Sequence, residues 1–139
     1  MIVESSTGRW EPVIGIEVHV ELQTESKMFC GCVVDTEAEP NTNVCPVCLA
    51  LPGALPVINE KAIEWIAMMG LALGCSVTPD TVFCVKFFFY GDIPKCFQIS
   101  LFYLPVFAYG KLEISVDGVG SWVGIERANM EEDTAMSQH

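Results

Sequence analysis

The residues of this chain best suited to chemistry are its cysteines. Four of the seven fall in two close pairs, Cys30-Gly31-Cys32 and Cys45-Pro46-Val47-Cys48, with 12 residues between the pairs. Each pair can offer two thiolates to one tetrahedral ion at about 2.3 Å, which makes zinc the natural candidate. An iron–sulfur cluster stays open, because four thiolates also hold clusters. Four unrelated buried thiols, or an adventitious disulfide, are the bland alternative, and paired spacing of this kind is uncommon by accident. Four protein ligands leave no position for water or substrate, so the expected role of the metal is structural. Cys75, Cys84 and Cys96 lie outside the pattern and read as core thiols.

A second constellation is acidic. Along Val13–Leu22 the residues Ile14, Ile16, Val18, Val20 and Leu22 alternate with Glu17, His19 and Glu21. Strand period two would put Glu17 and His19 on one face, about 7 Å apart, as two ligands for a divalent ion. Glu131-Glu132-Asp133 supplies further carboxylates, and a metal neutralising phosphate charge would account for them if the fold brings the two sets together. The ordinary alternative is a solvated strand face and a surface acidic run. Lys86, Lys95 and Arg127 could hold phosphates, although a lone Lys is commonly only a solubilising charge.

The elements that must position these groups follow from local pattern. Val13–Leu22 is predicted as a half-buried strand with a polar working face. Phe29–Cys48, rich in Gly, Pro and Asn, has no period and reads as loops organised by the cysteines. Asn59 can cap a helix running to about Leu73, with Glu60 in its first turn and Gly74 ending it. That helix is apolar nearly all round and is expected to be buried. Val82–Tyr90 and Phe97–Val106 are aromatic-rich strand candidates, and Lys111–Val116, the turn Asp117-Gly118 and Ser121–Arg127 form a predicted β-hairpin. The fold class expected is α+β, mostly antiparallel sheet with one or more buried helices and a four-cysteine zinc loop.

Composition narrows the partners. The 139 residues suit one domain. A net charge of −11, from 18 acidic against 7 basic side chains, repels a phosphate backbone. No run of 18 apolar residues spans a membrane, since Glu64 interrupts the richest one, and Met1–Arg9 is too polar for a signal peptide. An odd cysteine count argues against a secreted disulfide scaffold. The expected location is the bacterial cytoplasm or an organelle matrix. At 51% hydrophobic residues, one small domain should leave apolar surface uncovered, fit for a partner.

Particular strings carry a resemblance: Trp10-Glu11 leading into VIGIEVHVEL, then FCGC, EPNTNVCPVCL, LPGALPV, GLALGC, FYGDIPK, FQIS and MEED. From about Trp10 to His139 the chain resembles the N-terminal part of the B subunits of the aspartyl/glutamyl-tRNA(Asn/Gln) amidotransferases. The resemblance implies that residues 1–139 are part of the catalytic cradle domain of such a subunit, without the C-terminal helical and tail domains that engage tRNA. It implies an ATP-dependent ligase that phosphorylates the side-chain carboxylate of Glu-tRNA(Gln) or Asp-tRNA(Asn) and amidates it with ammonia. The implied partners are the amidase (A) subunit, the small (C) subunit and the aminoacyl-tRNA. Residue by residue it implies Mg²⁺ held by Glu17, His19, Glu131 and Glu132 as the catalytic set, and ATP phosphates met by Lys86 and Arg127.

Departures from the family pattern bear on that activity. Cys84-Val85-Lys86-Phe87-Phe88 stands where an Asp-Arg-Lys-Asn-Tyr run is usual, Leu101, Phe102 and Tyr103 where Gln-Tyr-Asp is usual, Asn129 for a His, and Ala135-Met136 for Gly-Lys. Each change removes polar chemistry or backbone freedom. The alternative to an enzyme is therefore a zinc-stabilised, non-catalytic remnant or interaction module, and this chain alone is expected to be inactive.

Overall fold

The computed structural model describes residues 2–134 and 136–137. Among them lie one helix and seven strands: β1 (Val3–Ser5), β2 (Gly8–Trp10), α1 (Glu60–Ala72), β3 (Ser76–Val77), β4 (Cys84–Phe87), β5 (Phe97–Ser100), β6 (Phe107–Val116) and β7 (Val119–Ala128). Every strand pairing is antiparallel, in three small sheets ordered β1-β2, β3-β6-β7 and β4-β5. This is the expected α+β class.

Helix α1 begins where the sequence says it should. The Asn59 side-chain oxygen accepts from the backbone N–H groups of Lys61 and Ala62, satisfying two donors that a helix start leaves orphaned. At the other end Gly74 N donates to Leu71 O and Cys75 N to Gly70 O, a Schellman closure with Gly74 at φ 62°. The helix is not buried all round. Ala62, Ile66 and Gly70 form its buried stripe, while Met68 and Leu71 are 67% and 65% exposed. Gly70 lets the Phe107 ring lie on the helix backbone, for a Cβ there would stand 2.2 Å from the ring. Phe107, Ile66, Ala62, Cys75, Leu101 and Met130 make the core.

The β6–β7 hairpin turns through Asp117 and Gly118, both at positive φ (52° and 79°), the backbone twist a two-residue hairpin turn requires. Its strands are longer than the sequence suggests at the near end, because Phe107 and Ala128 also pair there. The two aromatic-rich candidates are shorter: only Cys84–Phe87 and Phe97–Ser100 pair, and Pro94 and Pro105 flank the second.

Val13–Leu22 is a correction. No strand pairs with it among the described residues, and Val13, Ile14 and Ile16 are 89%, 83% and 85% exposed. Alternation specifies which faces a strand would show, but a strand exists only when a neighbour satisfies its backbone groups. The uncovered apolar surface expected from composition is present here and in many other parts of the chain. No helix among the described residues is long and apolar enough to cross a membrane.

Candidate metal centre and acidic site

The loop from Thr24 to Val57 is held at its margins by backbone bonds. Lys27 N donates to Cys32 O, Val57 N to Phe29 O and Asn59 N to Met28 O, each at 2.9 Å, so the loop is tied to the helix cap. Phe29 is buried and meets the edge of Phe83 with ring centroids 5.2 Å apart. Within this frame the thiols of Cys30, Cys32, Cys45 and Cys48 all lie within 4.8 Å of one another. Cys45 and Cys48 are 3.8 Å apart, close to the sulfur–sulfur distance of about 3.8 Å that a tetrahedral ion with bonds of about 2.3 Å imposes. Spacing in the sequence thus named a real cluster, and the four sulfurs fit a zinc ion.

Electrostatics agree with that fit. Cys45 is lowered to about 6, first because the backbone N–H of Cys48 stabilises its thiolate. Cys32 is pushed up to about 12, first by burial and then by the neighbouring thiols. Burial also pushes Cys30 up. One thiolate forms readily here and further ones repel each other, a cost that a divalent cation removes. Of the remaining cysteines Cys75 is buried as expected, Cys84 is half-buried with its thiol donating to Ser100 O at 3.1 Å, and Cys96 is exposed, contrary to expectation. Cys96 sits in the Ile93–Cys96 turn at φ 59°, outside the packed faces.

The acidic residues are arranged differently. The segment after β7 runs beside β5: Leu101 N donates to Met130 O and Glu132 N to Ile99 O, both at 2.9 Å, and Ser100 bridges Glu131. Glu131 is paired with Lys86 and accepts from the Ser100 hydroxyl at 2.9 Å. Burial alone would push its carboxyl up; the bonds from Lys86 and Ser100, with the charges of Lys86 and His19, hold it below the ordinary carboxylate range. Glu132 is paired with Lys95. Lys86 and Arg127 both face the Phe102 ring, 4.7 and 4.6 Å from its centroid, so the two cations proposed for phosphate converge.

Glu17 and His19 lie 3.5 Å apart, with side chains 85% and 80% exposed. His19 is near enough to Glu131 to stabilise its charge. Among the described residues, however, the cysteines are the one group whose potential ligand atoms all lie so close together, so Glu17, His19, Glu131 and Glu132 form no ready cage. Ala135 lies outside the described residues. Sequence reasoning missed Ser100 and the pairing of Lys95 with Glu132; the only signal was that the lysines flank aromatic segments. Asn129, standing for the family's His, has a buried Oδ1 with no hydrogen-bond partner among the described residues.

Comparison with known proteins decides the family. Residues 12–139 match the model of the GatB/GatE catalytic domain. The chain belongs to this family. It is 53% identical over 131 residues to the aspartyl/glutamyl-tRNA(Asn/Gln) amidotransferase B subunit of Trichlorobacter lovleyi, covering 94% of this chain and 28% of that protein. The B subunit of Nocardia farcinica is 58% identical over 132 residues, 94% of this chain and 26% of its own length. That of Syntrophotalea carbinolica is 50% identical over 133 residues, 96% of this chain and 28% of its own. The chain thus spans roughly a quarter of the length of these curated relatives.

Proposed function

We propose that the chain is part of the catalytic cradle of the B subunit of an ATP-dependent glutamyl/aspartyl-tRNA amidotransferase, working with the amidase (A) and small (C) subunits in the cytoplasm or an organelle matrix. A carboxylate is a poor electrophile and hydroxide a poor leaving group. ATP therefore phosphorylates the side-chain carboxylate of Glu-tRNA(Gln) or Asp-tRNA(Asn), and ammonia from the amidase displaces the phosphate. The tRNA body is gripped by helical and tail domains outside this chain, in keeping with its acidic charge.

The observation that carries this reading is the meeting of Lys86, Arg127, Glu131 and Ser100 around Phe102 and β5, with His19 in electrostatic reach. Lys86 and Arg127 would hold phosphate oxygens and stabilise charge as it develops. To do so Lys86 leaves Glu131. Glu17, His19, Glu131 and Glu132, once drawn together, would hold Mg²⁺, which would offset phosphate charge there. Zinc on the four cysteines is structural.

A second reading, a zinc-stabilised remnant or interaction module, is favoured by both cations lying over the Phe102 ring and by both glutamates having a lysine counter-ion. Nucleotide binding separates the two. The chain with the amidase and small subunits, ATP, Mg²⁺, glutamine and Glu-tRNA(Gln) is expected to make no Gln-tRNA by itself in either reading. It is expected to bind Mg²⁺·ADP in calorimetry, and E131Q to abolish that binding. Binding indifferent to E131Q would sink the catalytic reading and leave the remnant.

A further inference from the structure

The proposed phosphoryl transfer has no use for Lys95, yet this is the most enclosed cation of the region. Its ammonium pairs with Glu132, and the two side chains are only 7% and 12% exposed. It also lies over the Phe97 ring, 4.5 Å from the centroid. The second Glu132 oxygen accepts from the backbone N–H of Ile99 at 3.3 Å, Glu132 N returns a bond to Ile99 O, and the Gln98 amide donates to Glu132 O. Glu132 is thus bound on every side to β5. One wall of the cleft beside this pair, about 250 Å³, is Lys95, Phe97 and Ile99; the other is Val47, Leu51 and Pro56 of the cysteine loop. The adjacent Lys86–Glu131 pair differs, with side chains 28% and 31% exposed, open enough for its partners to exchange.

We propose that Lys95 is a positioning residue: by clamping Glu132 to β5 it fixes the Met130–Glu132 segment so that Glu131 stands against Lys86 and Ser100. Its role for catalysis rests on the proposed metal-binding role of the acidic segment. A buried charge that loses its partner cannot stay where it is, so breaking the clamp releases the segment, whereas breaking the Lys86 pair leaves the segment in place.

The test uses the chain with K95M, K95R and K86M, followed by amide exchange. K95M is expected to speed exchange at Ile99 and Glu132 by about 100-fold, the lower end of what unpairing a buried charge costs, while α1 amides stay protected. K95R keeps the charge and restores the protection. K86M spares the amides of Ile99 and Glu132. If K95M unfolds α1 as well, E132Q replaces it, with the same loss of protection at Ile99 expected. Ile99 and Glu132 as protected as in the parent overturn the proposal in either variant. Mn²⁺ binding is measured alongside: a parent chain that binds none overturns the metal reading of the acidic segment, and the exchange readout still decides Lys95.

Discussion

The cysteine loop and the acidic segment pose the same electrostatic problem and solve it in different ways. Both gather groups that repel one another when charged. In the loop the four sulfurs lie within 4.8 Å of each other, an arrangement that could hold a metal ion. In the acidic segment each glutamate has its own lysine, Glu131 with Lys86 and Glu132 with Lys95. The protein itself supplies those counter-charges, and an incoming cation must compete for the carboxylates. The first group could take up an ion without displacing a protein partner; at the second an incoming cation must displace a lysine.

Removing the ion should separate the regions most sharply. Structural zinc in small domains contributes on the order of 10 kcal/mol of apparent folding free energy, and nothing else organises residues 30–49 to that degree. Freshly purified, reduced chain is expected to hold one zinc in elemental analysis. C45S, or chelation, is expected to erase amide protection through the loop while α1 keeps its own. A loop as protected without metal as with it would end the comparison, since both sites would then be self-sufficient.

Phe107→Ala strikes the core shared by both. Its ring is 1% exposed and lies on the Gly70 backbone, so truncation leaves a cavity and should cost about 3–5 kcal/mol in denaturant unfolding. The cysteine cluster should keep its zinc in this variant under native conditions, because its ligands are set by the loop.

Acid should act on the second region through Glu131. Its folded-state carboxyl is held below its ordinary value of 4.5, so the pairing adds stability above that value and loses it as pH falls through the lowered one. Stability followed by thermal melts from pH 6 downward should therefore drop below about pH 4.5, and drop less in K86M. Identical slopes would show that Lys86 does not hold Glu131 in solution.

The smallest effect belongs to Asn129. Its buried Oδ1 has no partner among the described residues, and an unsatisfied buried acceptor costs about 1–3 kcal/mol. Asn129→Leu should stabilise the chain by about 1 kcal/mol in the same unfolding assay. A loss instead would mean that water or a further group satisfies that oxygen.

Features set by neighbours in the chain were legible from the residues alone. The Asn59 cap, the Gly74 stop, the Asp117-Gly118 turn and the two cysteine pairs all depend on groups a few residues apart, whose geometry the backbone dictates. Features that need a distant partner were not. Alternation in Val13–Leu22 promised a strand that finds no ladder, and the all-round apolar pattern of α1 hid a single buried stripe. The sequence by itself determined the family, the α+β class and a thiolate site of fixed composition. Only the tertiary structure decided that Glu131 meets Lys86 across 45 residues and Glu132 meets Lys95 across 37, because the pairing of distant charges depends on which strands lie side by side, and no local preference encodes that.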